Sequence, residues 1–208
     1  MLAAAVQVLE RDGRDRLSLR DLARQVGVSH AAPARHFPDR DALLDALAEH
    51  ALVELGDAIE QSANGAPTTF EGQFTAFALA YTDYAADHPA LVALMNERKD
   101  RPDAPDLNEQ ARRTFARPVA AVAAARANGE LRDPAPGRLE DVLQAVLDGL
   151  ALLAVQRRDQ MSTRDTVRAT VRVLLQGLHA DAANPTRQQK VHRHERTTAV
   201  SARDHGVE

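Results

Sequence analysis

Apolar residues recur at helical spacing through roughly the first 180 positions, and Gly, Pro and Asn punctuate them into segments. Leu2, Ala5, Val6 and Leu9 fall at i, i+3, i+4 and i+7, one face of a first helix that Gly13 ends. Ser18 reads as the cap of a second helix, with Asp21 three residues on in a capping-box arrangement. Leu19, Leu22, Ala23 and Val26 form its buried stripe; Gly27 stops it and Val28 plugs the turn. Ser29 is a fresh N-cap, so a third short helix follows and ends near Phe37-Pro38. Asp39 caps a fourth, which carries Leu43, Leu44, Leu47, Ala51, Leu55 and Ile59 and runs past residue 60.

The turn-like stretch 62–67 makes the next connection, and Thr68 with Glu71 reads as another capping box. The helix after it is the most aromatic, with Phe70, Phe74, Phe77, Tyr81 and Tyr84 on one stripe. Asp87-His88-Pro89 closes it and opens the next, Pro89 taking the first helical position. Residues 100–106 are a loop, an Ala-rich helix covers about 107–128 and ends at Asn128-Gly129, and 133–137 form a second loop. Two helices follow, about 138–156 and 162–179. Their stripes are Val142, Leu143, Val146, Leu147, Leu150 and Leu153, then Val167, Val171, Leu174, Leu175 and Leu178. From Asp181 onward the chain is polar and aperiodic, which predicts a disordered tail.

Composition supports an all-α chain: apolar residues are 44% of 208, good helix formers dominate, and aromatics are only 3%. There is no cysteine, so disulfides and thiolate metal sites are excluded and a reducing cytoplasm is the expected home. The first residues carry neither a basic region nor a long apolar run, so no signal peptide is expected; no segment is long and apolar enough to span a membrane. Net charge is −4. Residues 1–50 hold Arg11, Arg14, Arg16, Arg20, Arg24, Arg35 and Arg40 against eight acids, so any polyanion contact must rest on a local patch and be modest without sequence recognition.

Residues 17–47 carry the most specific pattern. Two short helices joined by a tight turn at Gly27 form a helix-turn-helix, whose second member (about Ser29 to His36) is small enough for a major groove. Gly13, Ser18, Leu22, Ala23, Gly27, Val28, Ser29, His36, Phe37, Arg40, Leu43 and Leu44 keep continuous helical phase over about 45 residues. This segment resembles the N-terminal region of TetR-family regulators, and its wording SHAAPxRHF is similar to a variant within that family.

The resemblance implies roles. Ser18 and Arg40 would hold DNA phosphates; Ser29, His30, Ala31, Ala32, Arg35 and His36 would form the groove-facing segment, with His30, Ala31 and Ala32 toward base edges and Arg35 toward guanine or phosphate. Phe37 would wedge the short helix against the first. Three features depart from expectation. Ala34 stands where the family usually has an aromatic; the sequence begins almost at the first apolar residue, where the family usually carries a basic arm; and Pro33 cannot donate to the Ser29 carbonyl. The first implies a lost phosphate and stacking contact; the second implies either a misassigned start or reduced DNA affinity.

The family likeness further implies a small-molecule pocket, for which Phe70, Phe74, Phe77, Tyr81, Met95 and Phe115 are the candidates, and a homodimer through the last two helices. The predicted organisation is a helix-turn-helix domain over 1–46, a helical effector-binding and dimerisation domain over 47–180 and a polar tail over 181–208. The predicted function is a ligand-responsive regulator of double-stranded DNA, a repressor released from a palindromic operator. The alternative is a helical ligand-binding or interaction protein with a degenerate DNA module. Neither reading calls for a cofactor, a metal or catalysis. Asp87-His88 reads as a helix junction, His192-Arg193-His194-Glu195 as solvated charge, and no phosphate loop or nucleophile elbow occurs.

Overall fold

The computed structural model describes residues 1–27, 37–131, 138–156 and 159–178. Among these residues it is all-α. The order is α1 (Leu2–Asp12), a 3-10 turn (Arg14–Arg16), α2 (Leu19–Gln25), α3 (Arg40–Asn64), α4 (Phe70–Asp87), α5 (Pro89–Arg98), α6 (Pro105–Ala127), α7 (Leu139–Gln156) and α8 (Gln160–Leu178). The expected groove-facing helix, with Ser29, His30, Ala31, Ala32, Arg35, His36 and the departures Pro33 and Ala34, lies outside the described residues. So do the loop at 133–137 and the polar tail.

Local chemistry places most boundaries. The Ser18 Oγ accepts the Asp21 backbone N–H at 3.4 Å, and the Asp39 carboxylate accepts that of Ala42 at 2.8 Å. Gly13 ends α1 with φ 79°, a conformation a β-carbon would strain. The cap of α4 is Thr69 rather than Thr68: Thr69 keeps extended backbone and its Oγ1 accepts the Gly72 N–H at 3.2 Å. α6 starts at Pro105, two residues before the expected 107, because proline suits a first turn whose N–H needs no partner.

Several stripe assignments shift; on α7, Val142 is exposed and turns away from the buried Leu143, Leu147 and Leu150. In α1 the buried residues are Ala5, Val8 and Leu9, while Val6 is only half-buried. Val26 caps α2 from outside and is exposed, because α2 is only seven residues long and ends at Gln25.

α4 is the centre of the fold. Residues 76–82 are buried without interruption, so the helix is enclosed on all sides, with α3, α5, α6, α7 and α8 packed around it. Its buried Thr82 hydroxyl donates back within the helix toward the carbonyls of Ala78 (2.8 Å) and Leu79 (3.1 Å), so no donor is stranded. α3 buries Leu43, Leu44, Leu47, Leu52, Leu55 and Ile59 along its whole length, against α1 near its start and against α4, α5 and α6 beyond.

The α3–α4 corner is tight. A β-carbon on Gly72 would lie 2.7 Å from the Pro67 carbonyl oxygen and 2.8 Å from its Cβ. Gly72→Ala should therefore lower stability by about 1–3 kcal/mol in denaturant melts, although alanine is the better helix former by up to about 1 kcal/mol. A variant as stable as the parent would mean that the corner yields freely.

Candidate DNA-binding face and effector cleft

The described part of the N-terminal module presents an uneven basic face. Arg16 and Arg20 flank the Ser18 cap, are exposed, and form no ion pair among the described residues. Arg24 is exposed but paired with Asp21 at 2.9 Å. Sequence reasoning passed over Arg16 and Arg20 as site residues; their position beside a cap was the available signal. Ser18 is half-buried, and its oxygen is engaged by the Asp21 N–H. Arg40 does more than face outward. Its guanidinium donates to the carbonyls of Arg14 (2.6 Å) and Leu17 (3.3 Å), stapling the start of α3 to the turn that joins α1 and α2. Phe37 is half-buried and packs against the core.

Three polar links tie this module to α5. No side chain of its own caps α5; instead Glu10 of α1 accepts the backbone N–H groups of Ala90 (3.1 Å) and Leu91 (2.9 Å). A carboxylate there also suits the positive end of the helix dipole. Arg14 pairs with Glu97 at 2.7 Å. Arg98, nearly buried, donates to Asp45 at 2.7 Å and pairs with Asp41 at 2.9 Å, both on α3. These bonds hold Asp41 below the ordinary carboxylate value of 3.8, the Arg98 hydrogen bond contributing most and Arg101 next.

The second candidate site is a cleft of about 190 Å³ between α4, α6 and α7. Phe74, Phe77 and Phe115 line it; Phe70, Tyr81 and Met95 do not. Phe70 stacks on Phe74 with ring centroids 5.7 Å apart, and Met95 is fully buried on α5. The Tyr81 hydroxyl accepts from Asn96 Nδ2 (3.0 Å) and donates to Asp148 (3.3 Å). Burial chiefly, with Asp148 adding to it and the Asn96 bond opposing, pushes that phenol up to about 12, so it stays a neutral donor. The rest of the lining comes from α6 and α7, including Pro118, Val122, Leu143 and Leu147, which sequence reasoning did not assign to a pocket. At its polar edge Glu140 is neutralised by Arg126 at 2.8 Å, and Gln144 donates to Asp148 at 2.8 Å.

The remaining sequence candidates resolve simply. His88 closes α4 and opens α5, as a junction residue. Among the described residues no three His, Asp or Glu side chains come together as a metal site, and no helix is long and apolar enough to cross a membrane. The 192–195 tract lies outside them.

Comparison with known proteins agrees at both ends of the chain. The family model "Bacterial regulatory proteins, tetR family" matches residues 1–47, and "Tetracyclin repressor-like, C-terminal domain" matches residues 74–178. A solved protein of unknown function from Rhodococcus sp. RHA1 is 38% identical with a TM-score of 0.74, over 86% of this chain and 93% of that one. The ketosteroid transcriptional regulator KstR2 of Mycobacterium tuberculosis shares the fold at 14% identity and TM-score 0.61, over 86% and 93%. The TetR family regulator PfmR of Thermus thermophilus does so at 19% identity and TM-score 0.62, over 86% and 98%. No match was found among curated proteins.

Proposed function

The chain belongs to the TetR family of bacterial regulatory proteins, and from that premise we propose that it is a homodimeric repressor released from a palindromic operator by a small molecule. The observation that carries this reading is α3. It begins at the Asp39 cap within the N-terminal module, is stapled there by Arg40, and continues unbroken to Asn64 inside the helical domain that holds the cleft. A ligand that prefers one packing of α4 and α6 therefore also biases the tilt of α3, and with it the spacing of the two DNA-reading segments. The shift in DNA affinity equals the ligand's differential affinity for the two states.

The proposed division is a DNA-binding module over residues 1–46 and an effector and dimerisation domain over 47–180. Ser18 and Arg40 hold phosphates, with Arg16 and Arg20 adding charge beside them. Ser29, His30, Ala31, Ala32, Arg35 and His36 form the segment in the groove. Phe74, Phe77 and Phe115 belong to the effector site, and Phe70 and Tyr81 back it through their ring contacts with Phe74 and Phe77; Met95, buried on α5, is not among its lining. Dimerisation uses α7 and α8, where Val142, Leu152 and Val173 are exposed apolar side chains.

Selection of duplexes from a random pool at near-physiological salt tests the reading. An inverted repeat with half-sites about one helical turn apart is the expected product. Arg20→Gln should then make the slope of log affinity against log salt shallower by about 0.9 for each phosphate it no longer neutralises. Because Arg40 already bonds two carbonyls of its own chain, a purely structural helix-turn-helix is the competing reading. Enrichment of no sequence, even at low ionic strength, would decide for it and for the helical ligand-binding or interaction protein.

A further inference from the structure

The cleft has two compartments with a shared wall. The inner one is aromatic and aliphatic. The outer one, about 570 Å³, is bounded by Lys99, Asn108 and Arg112, and shares Phe115, Val119 and Gln144 with the first. Phe115 stands at the seam. Its ring meets Phe77 edge-on, centroids 6.3 Å apart at 82°, while the Lys99 ammonium lies 5.4 Å from its centre.

The charges around the two compartments separate by whether they are already answered. Glu140 is held by Arg126 at 2.8 Å, and Arg112 by Glu109 at 2.6 Å. Lys99 forms no ion pair among the described residues; an aromatic face is its contact. Asp100 also bounds the outer compartment, but it is exposed, where solvent and salt screen its charge. A half-buried cation at the mouth of an apolar cleft favours an anionic partner. A ligand cation would instead have to displace Lys99 from the ring.

Resting on the effector-site reading above, we propose that the cleft takes an amphipathic anion, its apolar body against Phe74, Phe77 and Phe115 and its carboxylate on Lys99. The position also gives the ligand a lever. Lys99 follows directly on Glu97 and Arg98, whose partners Arg14 and Asp45 lie on the DNA-binding side. An anion drawing on Lys99 therefore pulls the end of α5 that grips that module.

Calorimetric titration of the full chain with straight-chain carboxylates of 8, 10 and 12 carbons, the alcohols of equal length, and decyltrimethylammonium tests the proposal. The expected result is that the best carboxylate binds at least about tenfold more tightly than its alcohol. Lys99→Gln should erase that preference and leave the alcohol's affinity unchanged, with thermal melts verifying that the variant is folded. Leu147→Trp, which narrows the inner compartment, should weaken acid and alcohol alike. Equal binding of acid and alcohol, a preference that survives Lys99→Gln, or tighter binding of the ammonium overturns the anion while leaving an effector cleft in place. Failure of every probe to bind overturns the cleft reading together with the proposal.

Discussion

Leu152→Glu combined with Val173→Glu is expected to give a folded monomer that holds a two-fold operator about a hundredfold or more weakly than the parent, the lower end of what linking two binding modules contributes. The two side chains are 59% and 68% exposed, so charge there costs the isolated fold little. They lie on faces of α7 and α8 turned away from the core. On α7, Val142, Gly149 and Leu152 share a side opposite to the buried Leu143, Leu147 and Leu150. On α8, Thr166, Thr170, Val173 and Gly177 make a stripe of small and β-branched residues opposed to the buried Val167, Val171 and Leu175. Small side chains allow helices to approach closely, and a four-helix interface needs such faces. Light scattering reads the mass, and fluorescence anisotropy on the selected duplex reads affinity. A double variant that remains a dimer would place the subunit contact elsewhere.

Arg98→Met should cost about 3 kcal/mol, or roughly 6–12 °C in Tm for a chain of this size. The methionine keeps the packing volume but leaves Asp45, partly buried, without the Nε–H that meets it at 2.7 Å. It also removes the donor to the Asp41 carbonyl at 3.3 Å. Adding Asp45→Leu should restore much of the loss, because the penalty is an unanswered charge rather than missing attraction. Protein concentration must be held constant, since the Tm of the proposed dimer depends on it.

Acid sharpens the test. Asp41 is held below 3.8, so its contribution is full above that value and is lost as pH falls through the lowered one. The parent should therefore lose stability below about pH 4, and Arg98→Met should flatten that part of the curve. A loss of under about 1 kcal/mol would mean that the cluster is decoration on the α3–α5 contact.

Much of the fold was legible because its causes are local. Asp39 and Ser18 cap helices three residues ahead of the groups they bind, and Gly13 and Gly129 end helices by their own backbone freedom. The one-residue error at Thr68 has the same origin: adjacent threonines offer equal caps, and the backbone angle of Thr69 chose between them. The aromatic stripe of α4 was visible too, but spacing could not sort its members. Phe74 and Phe77 face the cleft because α6 brings Phe115 and Pro118 across from them. Tyr81 is drawn instead into bonds with Asn96 and Asp148.

The helices, the all-α class and the family pattern of the N-terminal module follow from local chemistry, since hydrophobic period, caps and turn residues act within a few positions of one another. Packing in three dimensions set which half of the broad α7 stripe turns inward, brought Glu10 to cap a helix 80 residues away, and laid Lys99 on Phe115 at the mouth of a cleft. Those outcomes depend on distant segments meeting in space. The energies of burial and charge pairing that choose among such meetings are not written in any one stretch of chain.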